Sequence, residues 1–474
     1  MSTPTKILFI ASEADPFVKV GGLGDVAGSL PKALRELGRD LDVRLVIPFH
    51  TAIHTDNLNL QLEAVFAIAR AGEEMPVQVF RTDLNGLPVY LVSGRPFSQT
   101  LKVYETDTAV DGEKFVFFTL AALELARRLD WHPDIVHAND WHTAVAPYAI
   151  RRMQDDPFWM GVKTMLSVHN LCYMGAGSEA ALTAYGLPPV DDPALPWWAQ
   201  QVPLPLGLWA ADEIVAVSPS YAEEIQTPDY GCGLESFLFS RHESITGIVN
   251  GIDMALWNPL TDDALVESFS IENLVGRVAT KKFLQTQFGF EVNESIPLLA
   301  MVTRMDQQKG VDITIEALRL IPKLGWQAIL LGSGNPEIES NARRLEGDFP
   351  ERIRAVIRFD ARLSRQIYGG ADMLLMPSLY EPCGLAQLIA MRYGAVPVAR
   401  ATGGLRDTIS DKISGYLFTV ASPVVMVGAL RRALKTFEKP AAWQAIQKAG
   451  MAGDFSWPVS ARQYADLYQA LLQR

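Results

Sequence analysis

Cysteine is scarce in this chain of 474 residues, which contains only Cys172, Cys232 and Cys383. The three are far apart, odd in number and form no C-x-x-C pair. This pattern argues against a disulfide framework and against a structural zinc site. Few and unpaired cysteines are typical of a reducing compartment, so we expect a cytoplasmic protein with reduced thiols.

A secretory leader and long hydrophobic runs are also lacking. Residues 1–10, MSTPTKILFI, have neither the charged start nor the small-residue cleavage site of a signal peptide. No run approaches the ~18 uninterrupted apolar residues that a spanning helix needs. We therefore expect no signal peptide and no membrane segment.

Positive charge is in deficit. The chain has 42 Lys and Arg against 54 Asp and Glu, a net charge of −12. A broad nucleic-acid surface needs clustered positive charge, so we expect no nucleic-acid partner. A small basic pocket for an anionic ligand is still compatible with this balance.

What the sequence does contain is a repeated alternation of buried strands and amphipathic helices. Lys6–Ala11 and Val43–Ile47 are apolar runs typical of buried strands, and leucines at helical spacing separate them. A second series of such units begins near Ile296. The pattern predicts an α/β protein with parallel sheets in two successive halves, because strand–helix–strand units form parallel sheets.

The boundary between the halves is predicted near residues 250–260. We expect a first domain over 1–250, a second over 251–455 and a terminal helix over 456–474. Its apolar face has i, i+3, i+4, i+7 spacing, formed by Tyr464, Leu467, Tyr468 and Leu471. That face must pack on another part of the protein.

Ligands of open α/β sheets bind beyond the carboxyl ends of the strands, so polar residues there are the candidates. The first such feature is a loop in which Lys19 precedes Gly21 and Gly22 before a helix. Glycines let the backbone approach a phosphate or a sugar, and a helix N-terminus favours negative charge. The alternative is a tight turn with a solvated lysine. The glycine spacing misses the dinucleotide fingerprint by one residue and no acidic residue ends the second strand, which disfavours NAD.

The second feature is a polar cluster after two predicted strands, comprising His137, Asp140, His142 and His169. One interpretation is hydrogen bonding to a polyhydroxyl ligand. A second is a metal site, although the spacing matches no standard zinc pattern. A third is a set of buried histidines with Asp140 capping a helix.

The third feature pairs Arg304 with Lys309, directly before Gly310 and a predicted helix. A forked guanidinium and a point charge suit a diphosphate, and both could stabilise charge on a departing phosphate. The alternative is a surface charge pair. No P-loop pattern is present, which disfavours a P-loop nucleotidase.

The fourth feature is Glu381, between a predicted strand and a helix, followed by Cys383 and later by Gly403 and Gly404. A carboxylate there could bind sugar hydroxyls or support a positively charged, sugar-like transition state. Alternatively, Glu381 caps a helix and Cys383 is a small core residue.

In this order and at these distances, the features resemble the bacterial glycogen synthases and plant starch synthases over essentially the whole chain. The motifs that carry the resemblance are Lys19-x-Gly-Gly-Leu23, His137-x-x-Asp-Trp-His142, His169-Asn-Leu171, Val217-Ser-Pro219, Asn250-Gly-Ile-Asp253, Arg304-x4-Lys309-Gly310, Glu381-Pro-Cys-Gly-Leu385 and Thr402-Gly-Gly-Leu405. Each is weak alone, but eight in one order are specific.

The resemblance implies a glycosyltransferase B fold, with two Rossmann-like domains facing across a cleft and the last helix crossing back to the first domain. It implies transfer of glucose from ADP-glucose to the nonreducing end of an α-1,4-glucan such as glycogen, with retention at the anomeric carbon. It also implies that neither a metal nor another cofactor is needed.

The resemblance further implies roles for residues of this chain. Arg304 and Lys309 would stabilise the leaving ADP, and Glu381 would hold glucose hydroxyls. His169 would contact the glucose ring, while Asp140 and Asn250 would line the acceptor and glucose side. The residues expected to bind the donor through a side chain or the backbone are Lys19, Gly21, Gly22, Asn250, Cys383, Gly384, Leu385, Gly403 and Gly404.

The chain departs from the family's usual residues near some of these motifs. Ala386 stands where a threonine is usual, which removes a hydroxyl near the phosphates. The other departures are Leu379, Pro205 and Ser236. The departures bear on the affinity for the donor, on the affinity for the acceptor and on the choice between ADP and UDP. A related transferase that uses UDP-glucose or another acceptor is the main alternative. An inactive glucan-binding paralogue is the second.

Overall fold

The structure is a computed structural model that describes residues 4–474. The chain divides into two compact units. Unit 1 runs to Gly251 and includes the terminal segment Trp457–Arg474, while unit 2 comprises Ile252–Ser456. In the described residues, no helix combines the length and apolar character that crossing a membrane requires.

Unit 1 is built on a nine-stranded sheet. Its strands are β1 (Thr5–Ile10), β2 (Leu41–Pro48), β3 (Gln61–Arg70), β4 (Glu73–Leu84), β5 (Leu87–Gly94), β6 (Ile135–Asn139), β7 (Lys163–Val168), β8 (Glu213–Ala216) and β9 (Ile245–Gly247). Its helices before unit 2 are α1 (Gly22–Glu36), α2 (Arg95–Ser98), α3 (Thr108–Arg128), α4 (Asp140–Thr143), α5 (Val145–Arg152), α6 (Glu179–Ala184), α7 (Pro203–Ala210), α8 (Pro219–Glu224) and α9 (Glu235–Ser240).

The strand order in this sheet is β3-β4-β5-β2-β1-β6-β7-β8-β9. The pairs from β5 to β9 are parallel, as the strand–helix alternation predicts. β4 instead runs antiparallel to both β3 and β5. This hairpin segment was not predicted, although Asn85 and Gly86, both with positive φ, form a two-residue turn that commonly joins antiparallel strands.

Unit 2 is built on a six-stranded parallel sheet. Its strands are β10 (Leu298–Val302), β11 (Gln327–Gly332), β12 (Ile353–Ile357), β13 (Met373–Met376), β14 (Val396–Arg400) and β15 (Tyr416–Phe418). Its helices are α10 (Val275–Gln287), α11 (Val311–Arg319), α12 (Pro336–Asp348), α13 (Ala361–Gly370), α14 (Ala386–Arg392), α15 (Gly403–Thr408), α16 (Pro423–Phe437) and α17 (Pro440–Met451). The strand order is β12-β11-β10-β13-β14-β15.

The last helix, α18 (Trp457–Leu472), packs on unit 1. Its buried face includes Tyr464, Tyr468 and Leu471, which share one hydrophobic core with residues of α1, β1 and β2. Burial of these large side chains offsets the entropy of ordering the terminus. The prediction that the final amphipathic helix returns to the first half is confirmed.

Cysteine pairing differs from the sequence expectation. Cys172, which follows β7, forms a disulfide with Cys232, 60 residues further along the chain in the loop between α8 and α9. Cys383 is free and buried. The expectation of reduced thiols was therefore wrong for one pair. A single pair at this separation carries no sequence signature that distinguishes it from two unrelated thiols.

Candidate active site

In unit 2, three loops with candidate residues meet at one edge of the sheet. β10, β13 and β14 are parallel neighbours, and their carboxyl ends lead into the loops that carry Lys309, Glu381 and Gly403. This is the edge at which parallel α/β sheets bind ligands. The fold therefore collects the third and fourth sequence features in one place.

Lys309 and Glu381 form a close ion pair across two of these loops. The lysine Nζ lies 2.8 Å from both carboxylate oxygens of Glu381. Ser378 Oγ donates a further hydrogen bond of 2.9 Å to Glu381 Oε2. The side chains of Lys309 and Glu381 are only 19% and 7% exposed. The pair is not a surface charge pair. Glu381 also does not cap α14, whose start has no side-chain cap.

Glycines let the backbone close around Glu381. Gly403 has φ +43°, and a Cβ there would lie 2.1 Å from the carbonyl oxygen of Glu381. The Gly404 N–H donates to that same carbonyl at 3.1 Å. Gly384 also has positive φ, and a Cβ there would lie 2.4 Å from Gln387. The chain needs glycine at these positions because any larger residue would meet fixed backbone or a buried side chain.

Arg304 lies at the exposed side of this site. Its side chain is 62% exposed, and its contacts are long: 3.4 Å to Asp306 Oδ2 and 3.5 Å to Gln308 Oε1. The Asp306 carboxylate in turn accepts the backbone N–H of Lys309 at 3.0 Å, which fixes the lysine's backbone. A guanidinium held by such long contacts can turn toward an incoming anion with little loss.

A small cavity of about 70 Å³ adjoins the ion pair. Residues of β10, of β13 and of the segments that follow these two strands line it, including Thr303, Lys309, Ser378, Glu381, Gly384, Leu385 and Ala386. Such a volume accepts a few waters or sugar hydroxyls. Cys383 is buried beside it and 4% exposed. Gln387 Oε1 is buried with no hydrogen-bond partner among the described residues.

In unit 1, the loop between β1 and α1 holds the first sequence feature. Lys19 Nζ lies 2.5 Å from Asp25 Oδ1 in the first turn of α1, and the lysine side chain is 42% exposed. The backbone N–H groups of Val20 and Gly21 donate to the buried carboxylate of Glu13. Gly22 opens α1, where its N–H has no intrahelical acceptor. Of the two glycines, Gly22 is therefore the one with an N–H to offer an anion.

The second sequence feature is brought together at the ends of β6 and β7. Asp140 has φ +54°, and its Oδ1 accepts the N–H groups of His169 at 2.7 Å and Asn170 at 3.2 Å. Asp140 therefore holds the next loop instead of capping its own helix. Burial raises the pKa of Asp140 to about 7, against the lowering effect of those two hydrogen bonds. Burial also lowers the pKa of His169 to about 4.

The histidines divide into different roles. His137 is fully buried, and its ring nitrogens lie 2.7 Å from Tyr468 Oη and from Ser167 Oγ, so it is a satisfied core histidine. His169 Nε2 lies 3.0 Å from Asn139 Oδ1. Within residues 4–474, no cluster of three potential ligands could hold a metal ion, so the geometry gives the metal interpretation no support.

The buried polar atoms of unit 1 that lack a partner in the described chain include His142 Nδ1 and Asn250 Oδ1. His142 is 8% exposed among aromatic rings, including Tyr104 at 4.8 Å and Trp141 at 4.3 Å between ring centroids. A buried polar atom without a partner is costly, so each such atom calls for an explanation. Hydrogen bonding to a ligand is one.

Sequence reasoning missed Glu13, Ser378 and Tyr104. Glu13 lies three residues after β1, and Ser378 lies two after β13, so position beyond a strand end was an available signal for both. Tyr104 comes from the loop between α2 and α3, and its hydroxyl lies 2.9 Å from Ser12 Oγ. No pattern in the sequence marks that approach.

The two α/β units, each with candidate residues in the loops after its strands, match known glycosyltransferases of the B fold. The sequence pattern of the starch synthase catalytic domain matches residues 6–240, and that of glycosyl transferases group 1 matches residues 285–449. Sucrose-phosphate synthase from Thermosynechococcus elongatus, with a TM-score of 0.63 at 19% identity over 99% of both chains, supports the fold alone.

Two relatives are much more similar. Glycogen synthase of Syntrophotalea carbinolica is 39% identical over 98% of this chain and 99% of its own. The catalytic domain of starch synthase IV from Arabidopsis thaliana, solved with ADP and acarbose, has a TM-score of 0.89 at 32% identity, over 99% of this chain and all of that one. The chain belongs to the glycogen synthase family. It is an enzyme that catalyses glucosyl transfer in glycogen synthesis.

Proposed function

We propose that this enzyme transfers glucose from ADP-glucose to the nonreducing end of an α-1,4-glucan with retention at the anomeric carbon. The observation that carries the proposal is the buried pair of Lys309 and Glu381 beside a small cavity. A cation suits a departing diphosphate, and a carboxylate suits the hydroxyls and growing positive charge of the sugar. The ADP bound by the similar starch synthase supports the choice of donor.

The donor is assigned to unit 2. Arg304 and Lys309 bind the phosphates, and both gain strength as charge builds on the leaving group. Glu381 binds glucose hydroxyls and stabilises the oxocarbenium-like state. The N–H groups near Cys383, Gly384, Leu385, Gly403 and Gly404 contact glucose or phosphate. Because these cations neutralise the leaving group, the proposal needs no metal ion.

Retention is assigned to a front-face reaction. The bond between the anomeric carbon and the phosphate oxygen breaks, and ADP leaves with that electron pair. The acceptor's 4-hydroxyl oxygen bonds to the same carbon from the same face, and its proton passes to the leaving phosphate oxygen. No covalent enzyme intermediate is needed, so no second carboxylate is required on the far face of the sugar.

Unit 1 is assigned the binding of the acceptor and of part of the donor. Lys19 and the Gly22 N–H bind donor phosphate oxygens, while Gly21 shapes the loop. Asp140 and Asn250 line the acceptor and glucose side, and Asp140 holds the His169 backbone that faces the glucose ring. The unpartnered Asn250 Oδ1 supports this assignment because a sugar hydroxyl would satisfy it.

The test is ADP or UDP release with glycogen as acceptor, measured in parallel with ADP-glucose and UDP-glucose. We expect turnover with ADP-glucose, and a fall in kcat of about a hundredfold or more for Lys309→Ala and for Glu381→Gln. The matched controls are Lys282→Ala and Glu294→Gln, because these residues form an exposed ion pair in the same unit at 3.6 Å. Both controls should keep wild-type kcat.

Other outcomes would reassign the function. Turnover with UDP-glucose alone would keep the site and change the donor. Glucan binding without turnover on either donor would indicate an inactive paralogue. Equal losses in the control variants would show that the effects came from stability rather than from transition-state charge.

A further inference from the structure

We propose that Glu13 is a positioning residue for donor binding. It acts by holding the backbone of the two residues that follow Lys19 in the chain. The proposal rests on the proposed function, in which Lys19 binds donor phosphate. It concerns a residue to which the proposed function assigns no contact with the donor or the acceptor.

The geometry places the Glu13 carboxylate inside the loop that it organises. Glu13 is 1% exposed. One carboxylate oxygen accepts the N–H of Val20, and both oxygens lie within 3.3 Å of the Gly21 nitrogen. A Cβ at Gly21 would lie 3.6 Å from Glu13 Oε1, an ordinary contact distance. The carboxylate therefore lies directly against the two residues that follow Lys19.

Among the described residues, no other side chain holds the backbone of this loop comparably. Gly21 is the N-cap of α1 and offers no side chain to cap the helix. The Lys19 side chain forms an ion pair with Asp25, at 2.5 Å. Hydrogen bonds that backbone N–H groups donate to a charged acceptor are strong in a buried setting. Glu13 thus supplies the contact that fixes the direction in which Lys19 leaves the backbone.

The surroundings of Glu13 also fix its own position. The Tyr104 side chain interacts with the Glu13 carboxylate, and its hydroxyl lies 2.9 Å from Ser12 Oγ. Burial raises the pKa of Glu13, partly offset by the hydrogen bonds that it accepts. Burying a carboxylate costs folding free energy. That cost is explained if the carboxylate is needed to hold its N–H partners in place. Preorganising a phosphate-binding loop is such a need.

The experiment is a double-mutant cycle between Glu13 and Lys19, with glycogen and ADP-glucose as substrates. Lys19→Ala should lower kcat at least about tenfold. Glu13→Gln keeps one acceptor oxygen and should lower kcat by a smaller factor, and Glu13→Ala by a larger one. The double variants should lose clearly less kcat than the product of the two single effects, because Glu13 acts mainly through a lysine that is absent. KM for glycogen should stay unchanged throughout.

A residue with only a structural role would lower the thermal midpoint and multiply the Lys19→Ala effect. The matched control is Asp212→Asn. Asp212 holds the Thr164 N–H at 2.7 Å in the same unit, at the opposite ends of the strands, and its effect on kcat should be negligible. Glu13→Gln has nearly the same shape as glutamate, so the cycle can still be measured if Glu13→Ala does not fold.

The possible failures are distinguishable. Unchanged kcat in Lys19→Ala would contradict the role of Lys19 in the proposed function. A loss in Lys19→Ala, with an independent and multiplicative loss in Glu13→Gln, would overturn the positioning role of Glu13 alone.

Discussion

Single glycines decide whether the backbone near Glu381 can close. Gly403 is the sharpest case, because its φ of +43° and the nearby Glu381 carbonyl leave no room for a side chain. The atom that a Cβ would meet belongs to the backbone, and it cannot rotate away as the end of a flexible side chain would. The position of the Glu381 carboxylate therefore depends on a residue that has no side chain.

We predict that Gly403→Ala destabilises unit 2 by about 2 kcal/mol or more and lowers kcat, because the chain must shift beneath Glu381. Thermal unfolding and steady-state kinetics would measure both effects. The control is Gly428→Ala in α16, where a Cβ would meet nothing within 4 Å. That change should leave kcat unchanged and add up to about 1 kcal/mol of stability, because alanine favours a helix. Normal kcat in Gly403→Ala would contradict the argument.

At the scale of elements, α18 shows how much structure a periodic sequence pattern can predict. The spacing of Tyr464, Leu467, Tyr468 and Leu471 predicts both the helix and its buried face. In the structure Leu471 is 1% exposed while Leu472, one position later, is 39% exposed. Two adjacent leucines thus have different environments because of helical geometry alone.

We predict that Leu471→Ala lowers the stability of unit 1 by about 2–5 kcal/mol, because it opens a cavity in the shared core. Leu472→Ala should change stability by no more than about 0.5 kcal/mol. Urea unfolding of both variants would measure the difference. Similar losses in the two would mean that the register of α18 on unit 1 differs from the one described.

Elements that depend on distant pairing were harder to predict. Buried parallel strands such as β1 and β10 show as continuous apolar runs, and the loops that follow them were recognised as candidate sites. The antiparallel β3–β4 pair is half-exposed, and β4 mixes apolar with polar residues instead of forming such a run. The contact between Lys309 and Glu381 requires β10 to lie beside β13, and 72 residues separate the two side chains. Such neighbours follow from sheet order, which no local pattern encodes.

At the scale of the molecule, histidine is distributed unevenly. All seven histidines precede residue 252, so unit 2 contains none. His50, His137 and His142 are buried, and His169 is half-buried. Burial lowers the pKa of His50 and His169 to about 4 and that of His137 to about 3, and it holds the pKa of His142 well below its usual value. Unit 1 thus folds around neutral imidazoles.

This distribution predicts that acid destabilises unit 1 more steeply than unit 2. Below about pH 6.5 the unfolded histidines bind protons that the folded ones do not, so stability is complete above that pH and is lost as pH falls toward 4. Asp140 opposes this trend, because its raised pKa makes unfolding release a proton between pH 7 and 4. Glu13, Asp25 and Asp111 act in the same direction as Asp140 through smaller shifts. Four histidines with large shifts outweigh them.

The measurement is urea unfolding between pH 4.5 and 7, followed by pulse hydrogen exchange at one fixed pH and readout of peptides from each unit. His50→Gln should reduce the pH slope of unit 1 by about 1.4 kcal/mol per pH unit near pH 5.5, the value of one proton. Glutamine can still donate to the Ser12 carbonyl that His50 contacts at 2.9 Å. His132→Gln, whose side chain is 54% exposed, should leave the slope unchanged. Equal slopes in the two units would show that carboxyl groups, rather than buried imidazoles, govern acid stability.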